Sequence, residues 1–281
     1  MKVKEIMTKK PIVAMVPGNR RETLKQLVTN DKTGLPVLNR NNGTYVGFVT
    51  RQDFFKHPEE EQLALIMQRD FPSVSPETPV EDAARILIER EIHHLPVIDR
   101  KRNVAGIVTP ADFLILIEKN RIKTPVHRFI RTAFIPVYEK TPLRLAAEIT
   151  GMCNVYALPV LSEKGKLTGI ITDRDIFNLS VINPKTAISD LGITDDMDPW
   201  AWEGVRNVMK LYYEVSKIHL PNVMVKDVMV KKPITAFDKT PVWEAARTMR
   251  KNDYGQLPVR NAGDKLLGMV YELDTLLSLI G

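Results

Sequence analysis

The chain has a single cysteine, Cys153, among 281 residues. One thiol excludes an internal disulfide framework and supplies no cluster for a structural zinc; at the end of a predicted helix it reads as a small packed residue. No apolar run reaches the roughly 18 residues of a membrane span. The opening MKVKEIMTKK is basic but lacks the apolar stretch of a signal peptide. The expectation is a cytoplasmic protein with no membrane span. Catalytic signatures are equally scarce. G-x-x-x-x-G-K-[ST], G-x-G-x-x-G and H-E-x-x-H are all missing. Among the five histidines only His93 and His94 adjoin. Adjacent positions are wrong for a helical metal pair, so they read as a helix-to-strand junction, with a phosphate contact as the alternative. No catalytic residue, metal or cofactor is expected.

What is present is an ordinary globular composition, 44% hydrophobic and 26% charged. The chain is longer than one core usually serves, so two or more domains are expected. Net charge is +6, unevenly spread: residues 178–222 hold six acids and four Lys/Arg. A mildly basic body suits an anionic partner such as a nucleotide, nucleic acid or lipid surface; simple solubility explains it as well.

Repetition dominates the rest. Leu-Pro-Val occurs at 35–37, 95–97, 158–160 and 257–259, with leucine-to-leucine steps of 60, 63 and 99. After each comes a glycine motif: GFVTRQD from 47, GIVTPAD from 106, GIITDRD from 169 and GMVYELD from 268. Before each lies a helix start 16 or 17 residues upstream, at Asn19, Thr78, Thr141 and Thr240. In Thr78-Pro79-Val80-Glu81 the Thr is read as the cap and Pro as the first helical residue, and Thr141-Pro142 and Thr240-Pro241 are read the same way. Val80, Ala83, Ala84, Leu87 and Ile88 then mark one helical face. An extended piece before the helix, two strands after it and a closing helix complete a β-α-β-β-α unit. At about 55 residues such a unit is marginal alone, so neighbours are expected to pair.

This unit resembles the CBS domain, whose hallmarks are the Leu-Pro-Val strand and the Gly-h-h-Thr-x-x-Asp motif; ALPVLSEKGKLTGIITDRDI is close to the family ideal. The resemblance covers nearly the whole chain. It implies an α/β (α+β) fold of four CBS repeats, 1–58, 61–120, 122–181 and 223–281, paired into two Bateman modules, with a helical insert at 182–222. It implies adenosine-containing ligands in the clefts between paired repeats. Four repeats on one chain also give a distant likeness to the gamma subunit of AMP-activated kinase.

Two readings of Thr-x-x-Asp remain open. As a capping box it stabilises a helix by about 0.5–2 kcal/mol and does nothing else. As a ligand site it offers a helix N-terminus and a Thr hydroxyl to phosphate and a two-oxygen carboxylate to a ribose. Arg51 and Arg174 sit where the helix dipole disfavours cations, which a bound phosphate would compensate. The motif candidates are therefore Thr50, Arg51 and Asp53; Thr109 and Asp112; Thr172, Arg174 and Asp175; and Asp274. Tyr271 and Glu272 make the fourth motif the poorest phosphate site, and Pro110 lowers the second; the first and third are expected to bind most tightly.

By the same resemblance the adenine lies against the start of each unit and the residues before Leu-Pro-Val. Those candidates are Ile12, Gly34, Leu35 and Pro36; Val74, His94, Leu95 and Pro96; Val137, Ala157, Leu158 and Pro159; and Thr235, Gln256, Leu257 and Pro258. Core packing is the competing role for the aliphatic ones. In the insert, Trp202, Val205, Val208, Met209, Tyr212 and Val215 form an apolar stripe, read as a strut within the second module or as a docking element. The expected function is non-enzymatic: a sensor of AMP, ADP or ATP, with S-adenosylmethionine behind them, acting on an unknown regulated protein and compatible with a homodimer. The alternatives are a nucleic-acid binder, which the lack of aromatics among the basic runs disfavours, and a scaffold with empty clefts.

Overall fold

The structure is a computed structural model; it describes residues 1–30, 32–50, 53–54, 57, 60–131, 134–153, 155–172, 175–176, 179 and 220–280. Arg51, Arg174 and the stripe from Trp202 to Val215 lie outside these residues.

Four helices begin the repeats proper: α1 (Arg20–Thr29), α3 (Val80–Glu89), α5 (Leu143–Cys153) and α7 (Val242–Asn252). The apolar stripe of α3 is buried as its spacing predicts. Each large aliphatic side chain so buried contributes about 1.5–3 kcal/mol. Asn19 caps α1 by accepting the Glu22 N–H at 2.8 Å. The threonines do not cap as expected. In α3 and α7 the capping position is Pro79 and Pro241, with no side-chain cap. The Thr78 hydroxyl instead accepts the Ser75 N–H in the preceding turn.

The free first N–H of each helix goes to another repeat. Arg20 donates to the Glu61 carbonyl, Val80 to Met1, Leu143 to Val223 and Val242 to Thr124. Those segments, two of which carry the short helices α2 (Leu63–Ile66) and α6 (Val225–Val228), answer in kind: Leu63 donates to Gly18, Val3 to Thr78, Val225 to Thr141 and Val126 to Thr240. Each repeat thus lays its leading segment on its neighbour's helix start. The exchange runs between the first and second repeats and between the third and fourth, and it satisfies helix-end donors that would otherwise be orphaned.

The strands follow the same plan. β2 (Ala14–Val16) runs parallel to β3 (Gly34–Asn39), which turns back as β4 (Tyr45–Thr50). β5 (Leu95–Ile98) and β6 (Val104–Val108) form the second hairpin, with Val74 bridged to Val97 in parallel. β7 (Val137–Tyr138), β8 (Ala157–Leu161) and β9 (Leu167–Thr172) repeat it, as do β11 (Ala236–Phe237), β12 (Gln256–Arg260) and β13 (Leu266–Tyr271). The exchanged segments add an outer strand: β1 (Thr8–Lys9) pairs with β6 of the second repeat, and β10 (Val230–Lys231) with β9 of the third. This explains the motif glycine. A Cβ on Gly47 would lie 2.5 Å from the Gln68 carbonyl oxygen, and one on Gly106 would lie 2.6 Å from Met7 Sδ. The crossing strand leaves room for a hydrogen only.

The chain forms two compact units, one of residues 1–131, 239–257 and 270–281, the other of 132–238 and 258–269. In the first unit one core gathers Val3, Val74, Leu87, Leu95, Val97, Val108, Phe113 and Leu276, and a second gathers Ala14, Leu27, Leu35, Val37, Val49, Phe54 and Leu63. There too α4 (Pro110–Lys119), the closing helix of the second repeat, packs on α7 of the fourth, with Glu118 on Arg250 at 2.7 Å and Arg121 over the Trp243 ring at 4.2 Å. In the second unit the core holds Val137, Leu143, Ala146, Leu158, Val160, Ile171 and Val225. Cys153 corrects the expectation of a packed thiol: Gly151, Met152 and Cys153 in the last turn of α5 are exposed, because the buried face of the helix is given by Leu143 and Ala146 nearer its start.

Candidate functional site

Each Thr-x-x-Asp motif with a threonine closes on itself where a strand meets a helix. Asp53 Oδ2 accepts the Thr50 N–H at 2.7 Å and its hydroxyl at 2.8 Å. Asp112 Oδ2 does so with Thr109 at 2.7 and 2.9 Å, and Asp175 Oδ2 with Thr172 at 2.9 and 2.7 Å. In α4 this is a complete capping box with Pro110 at the first helical position. The hydroxyl proton is therefore given to the aspartate and not to a phosphate. What the threonine does is hold one carboxylate oxygen, which orients the other. A carboxylate has roughly four acceptor sites, and the cap fills two. The remaining oxygen, Oδ1, is the group with capacity for a ligand hydroxyl.

The repeats differ in what meets that oxygen. Asp53 is 3% exposed, and its Oδ1 accepts the side-chain amide of Gln68 at 2.7 Å. Asp175 is half-buried, and among the described residues only the cap bonds it. Burial raises the Asp112 carboxyl above its usual range, and the Thr109 bonds oppose this. In the fourth motif Tyr271 makes no cap; its hydroxyl is buried without a hydrogen-bond partner among the described residues. Burial, with Asp274 beside it, pushes that phenol up to about 12.

The second and fourth motifs meet in the first unit, as α8 (Glu272–Thr275) packs on α4. The Glu272 N–H donates to the Gly255 carbonyl at 2.8 Å. Its carboxyl is pushed up to about 8, first by burial and then by Asp112 and Asp253. Three acids there make the place unfavourable for phosphate.

The candidates before Leu-Pro-Val divide by sheet face. Leu35, Leu95 and Leu158 point into the cores, as do Val74 and Val137, while Leu257 is also buried. Any ligand contact from these residues falls to their backbone. Ile12 packs on the edge of its core, and Thr235 and Gln256 are half-buried. Strand register gives the place of Val74 and Val137 to Ala14 and Ala236 in the other repeats, so Ile12 and Thr235 are out of step with them. Pro36 pairs with Phe48, Pro96 with Ile107 and Pro159 with Ile170. These lie on the opposite face of each sheet, since successive side chains alternate; Pro258 is buried. Gly34 pairs with Thr50 and Ala157 with Thr172, so each lies directly across from its motif threonine.

On that opposite face the first two repeats interlock through aromatic rings. Phe48 stacks on Phe71 at 4.5 Å and tilts against His94 at 5.3 Å. His94 Nε2 shares a hydrogen bond of 2.8 Å with the Thr33 hydroxyl. Burial, reinforced by His93, pushes the His94 imidazole down to about 3. Gln68, Phe48, Phe71 and Thr33 were not flagged by sequence, nor was the meeting of Glu272 with Asp112 and Asp253. The contacts of Gln68 and Phe48 depend on the exchange between repeats, and only the polar character of Gln68 beside Thr8 and Val230 hinted at a difference. Among the described residues no group of three or more His, Cys, Asp or Glu has the geometry to hold a metal, and no helix is long and apolar enough to cross a membrane.

Comparison with known proteins bears on the fold. The CBS domain matches at residues 3–60, 62–119, 126–181 and 225–281. Uncharacterized protein MJ1225 of Methanocaldococcus jannaschii is 27% identical over 192 residues, 62% of this chain and 68% of that protein. Its crystal structure, put forward as that of an archaeal homolog of g-AMPK, superposes with a TM-score of 0.73 at 21% identity, covering 99% of this chain and all of the other. An uncharacterized conserved protein from Pyrococcus horikoshii gives 0.69 at 25% identity with the same coverage. The inosine-5'-monophosphate dehydrogenase of Aquifex aeolicus is 33% identical over 105 residues, and the match spans 21% of that enzyme.

Proposed function

The chain belongs to the CBS-domain family, and on that premise we propose that it is a non-enzymatic regulatory protein that binds an adenosine-containing ligand and passes its occupancy to a partner protein. AMP, ADP and ATP lead as ligands, and S-adenosylmethionine follows. The observation that carries this reading is the third motif. Thr172 holds Asp175 by one oxygen, and the second oxygen has no other partner among the described residues. That is the acceptor geometry a ribose needs, beside a helix start suited to phosphate. The four family matches together occupy most of the chain.

The test is Asp175→Asn, titrated calorimetrically with AMP, ADP, ATP and S-adenosylmethionine. The amide keeps a carbonyl for the cap, so melting without ligand should stay near that of the wild type. Affinity should fall by about 1.5–3 kcal/mol, the worth of a charged hydrogen bond. Equal affinity in the two proteins would return Asp175 to a purely structural role.

A further inference from the structure

The first and third motifs read alike in sequence, yet the segment laid over each brings a different side chain. Strand register identifies it. In the exchanged leading segments Thr8 pairs with Ile107, Gln68 with Phe48 and Val230 with Ile170. Each partner is the residue after the motif glycine, so Thr8, Gln68 and Val230 occupy one equivalent place over three motifs. At that place the first motif receives a carboxamide and the third an isopropyl group.

We propose that Gln68 is an internal stand-in for the ligand, which keeps the first repeat closed to nucleotides and leaves the third as the open site. The reading of Asp175 and Asp53 as ribose acceptors underlies this inference. The Gln68 amide donates to Asp53 Oδ1 at 2.7 Å, while Thr50 holds Oδ2. An amide N–H is the same kind of donor as a sugar hydroxyl and takes the same acceptor. With Asp53 only 3% exposed, its charge needs such a donor, and the chain supplies one itself. Val230 has no donor to offer Asp175, and it is 45% exposed.

A second observation points the same way. A Cβ on Gly34 would lie 2.5 Å from the Phe48 ring, which is fully buried and backed by Phe71. The backbone expected to read the base is thus covered in the first repeat. In the third, Ala157 takes the place of Gly34 and Ile170 that of Phe48. The first repeat is filled at both the base end and the ribose end by its own module.

The experiment exchanges the two side chains in the full chain. AMP and ATP are titrated calorimetrically into wild type, Gln68→Val with Phe48→Ile, Val230→Gln, and the Gln68→Val and Phe48→Ile pair combined with Asp53→Asn. Gln68→Val with Phe48→Ile, which clears both ends, should bind one more nucleotide per chain than wild type, and Asp53→Asn should abolish the added site. Val230→Gln should weaken the site that depends on Asp175 by roughly tenfold or more, on the scale of a competing charged hydrogen bond. Because Val230 is at the surface, this variant decides the matter even if the Gln68→Val and Phe48→Ile pair fails to fold. A wild type that already binds through Asp53 overturns the inference. So does nucleotide binding that neither exchange alters, which leaves the Asp175 reading standing. No binding to any of the proteins overturns that reading, and the inference with it.

Discussion

His94 shows how far one side chain is governed by its neighbours. Burial and His93 lower its imidazole to about 3, so in the folded chain it stays neutral through the physiological range. The unfolded chain takes up that proton near the ordinary value of about 6.5. His94 therefore weakens the fold progressively as pH falls below that value toward 3. Its bond to Thr33 joins the first repeat to the second. Thr33→Val should cost about 0.5–1.5 kcal/mol in urea unfolding, the net worth of one such bond with water free to replace the hydroxyl at an exposed position. A loss well above that would mean that the valine disturbs the Phe48–His94 packing as well.

At the scale of the element, the start of α8 carries an unusual burden. A helix N-terminus favours acids, but Glu272 is half-buried and faces Asp112 from α4 and Asp253 from the end of α7. With its folded value at about 8 and the unfolded one near 4.5, the native state binds more protons between those limits. Stability is then greatest at the acid side of this window and is lost as pH rises toward 8, by about 1.4 kcal/mol per unit of pKa difference. Asp112, also raised, acts in the same direction. Glu272→Gln should match wild type in melting near pH 5 and exceed it at pH 8.5. A wild type that melts higher at pH 8.5 than its glutamine variant would contradict the assignment.

For the whole molecule, the reciprocal backbone bonds make each repeat depend on its neighbour. Val3, Leu63, Val126 and Val225 are fully buried against the partner repeat's helix start. Neither member of a pair is complete without the other, in keeping with the marginal size of a single unit. A ligand that binds only the folded form should then raise the stability of the chain. At 100 times its dissociation constant an adenine nucleotide should add about 2.7 kcal/mol. A melting series with AMP, ADP and ATP measures this, and no shift at millimolar concentration with any of them would oppose a nucleotide ligand.

Sequence by itself determined the repeats, their β-α-β-β-α order and the family. Leu-Pro-Val, the motif glycine and the stripe of Val80, Ala83, Ala84, Leu87 and Ile88 are local signals, set by backbone geometry and by which face must be apolar. It also marked Thr-x-x-Asp as both cap and candidate site, because the cap is made by residues three apart. Only the tertiary structure showed that the second oxygen of Asp53 is already taken. Gln68 lies 15 positions from Asp53 in the chain and reaches it through the exchange of leading segments; Glu272 meets Asp112 because α8 packs on the second repeat's helix. The prolines at 79 and 241 became caps rather than first helical residues for the same reason: the donors that a capping threonine would serve are already bonded across the repeats. Hydrogen-bond capacity is finite, and whether a group is free depends on neighbours that come together only when the chain folds.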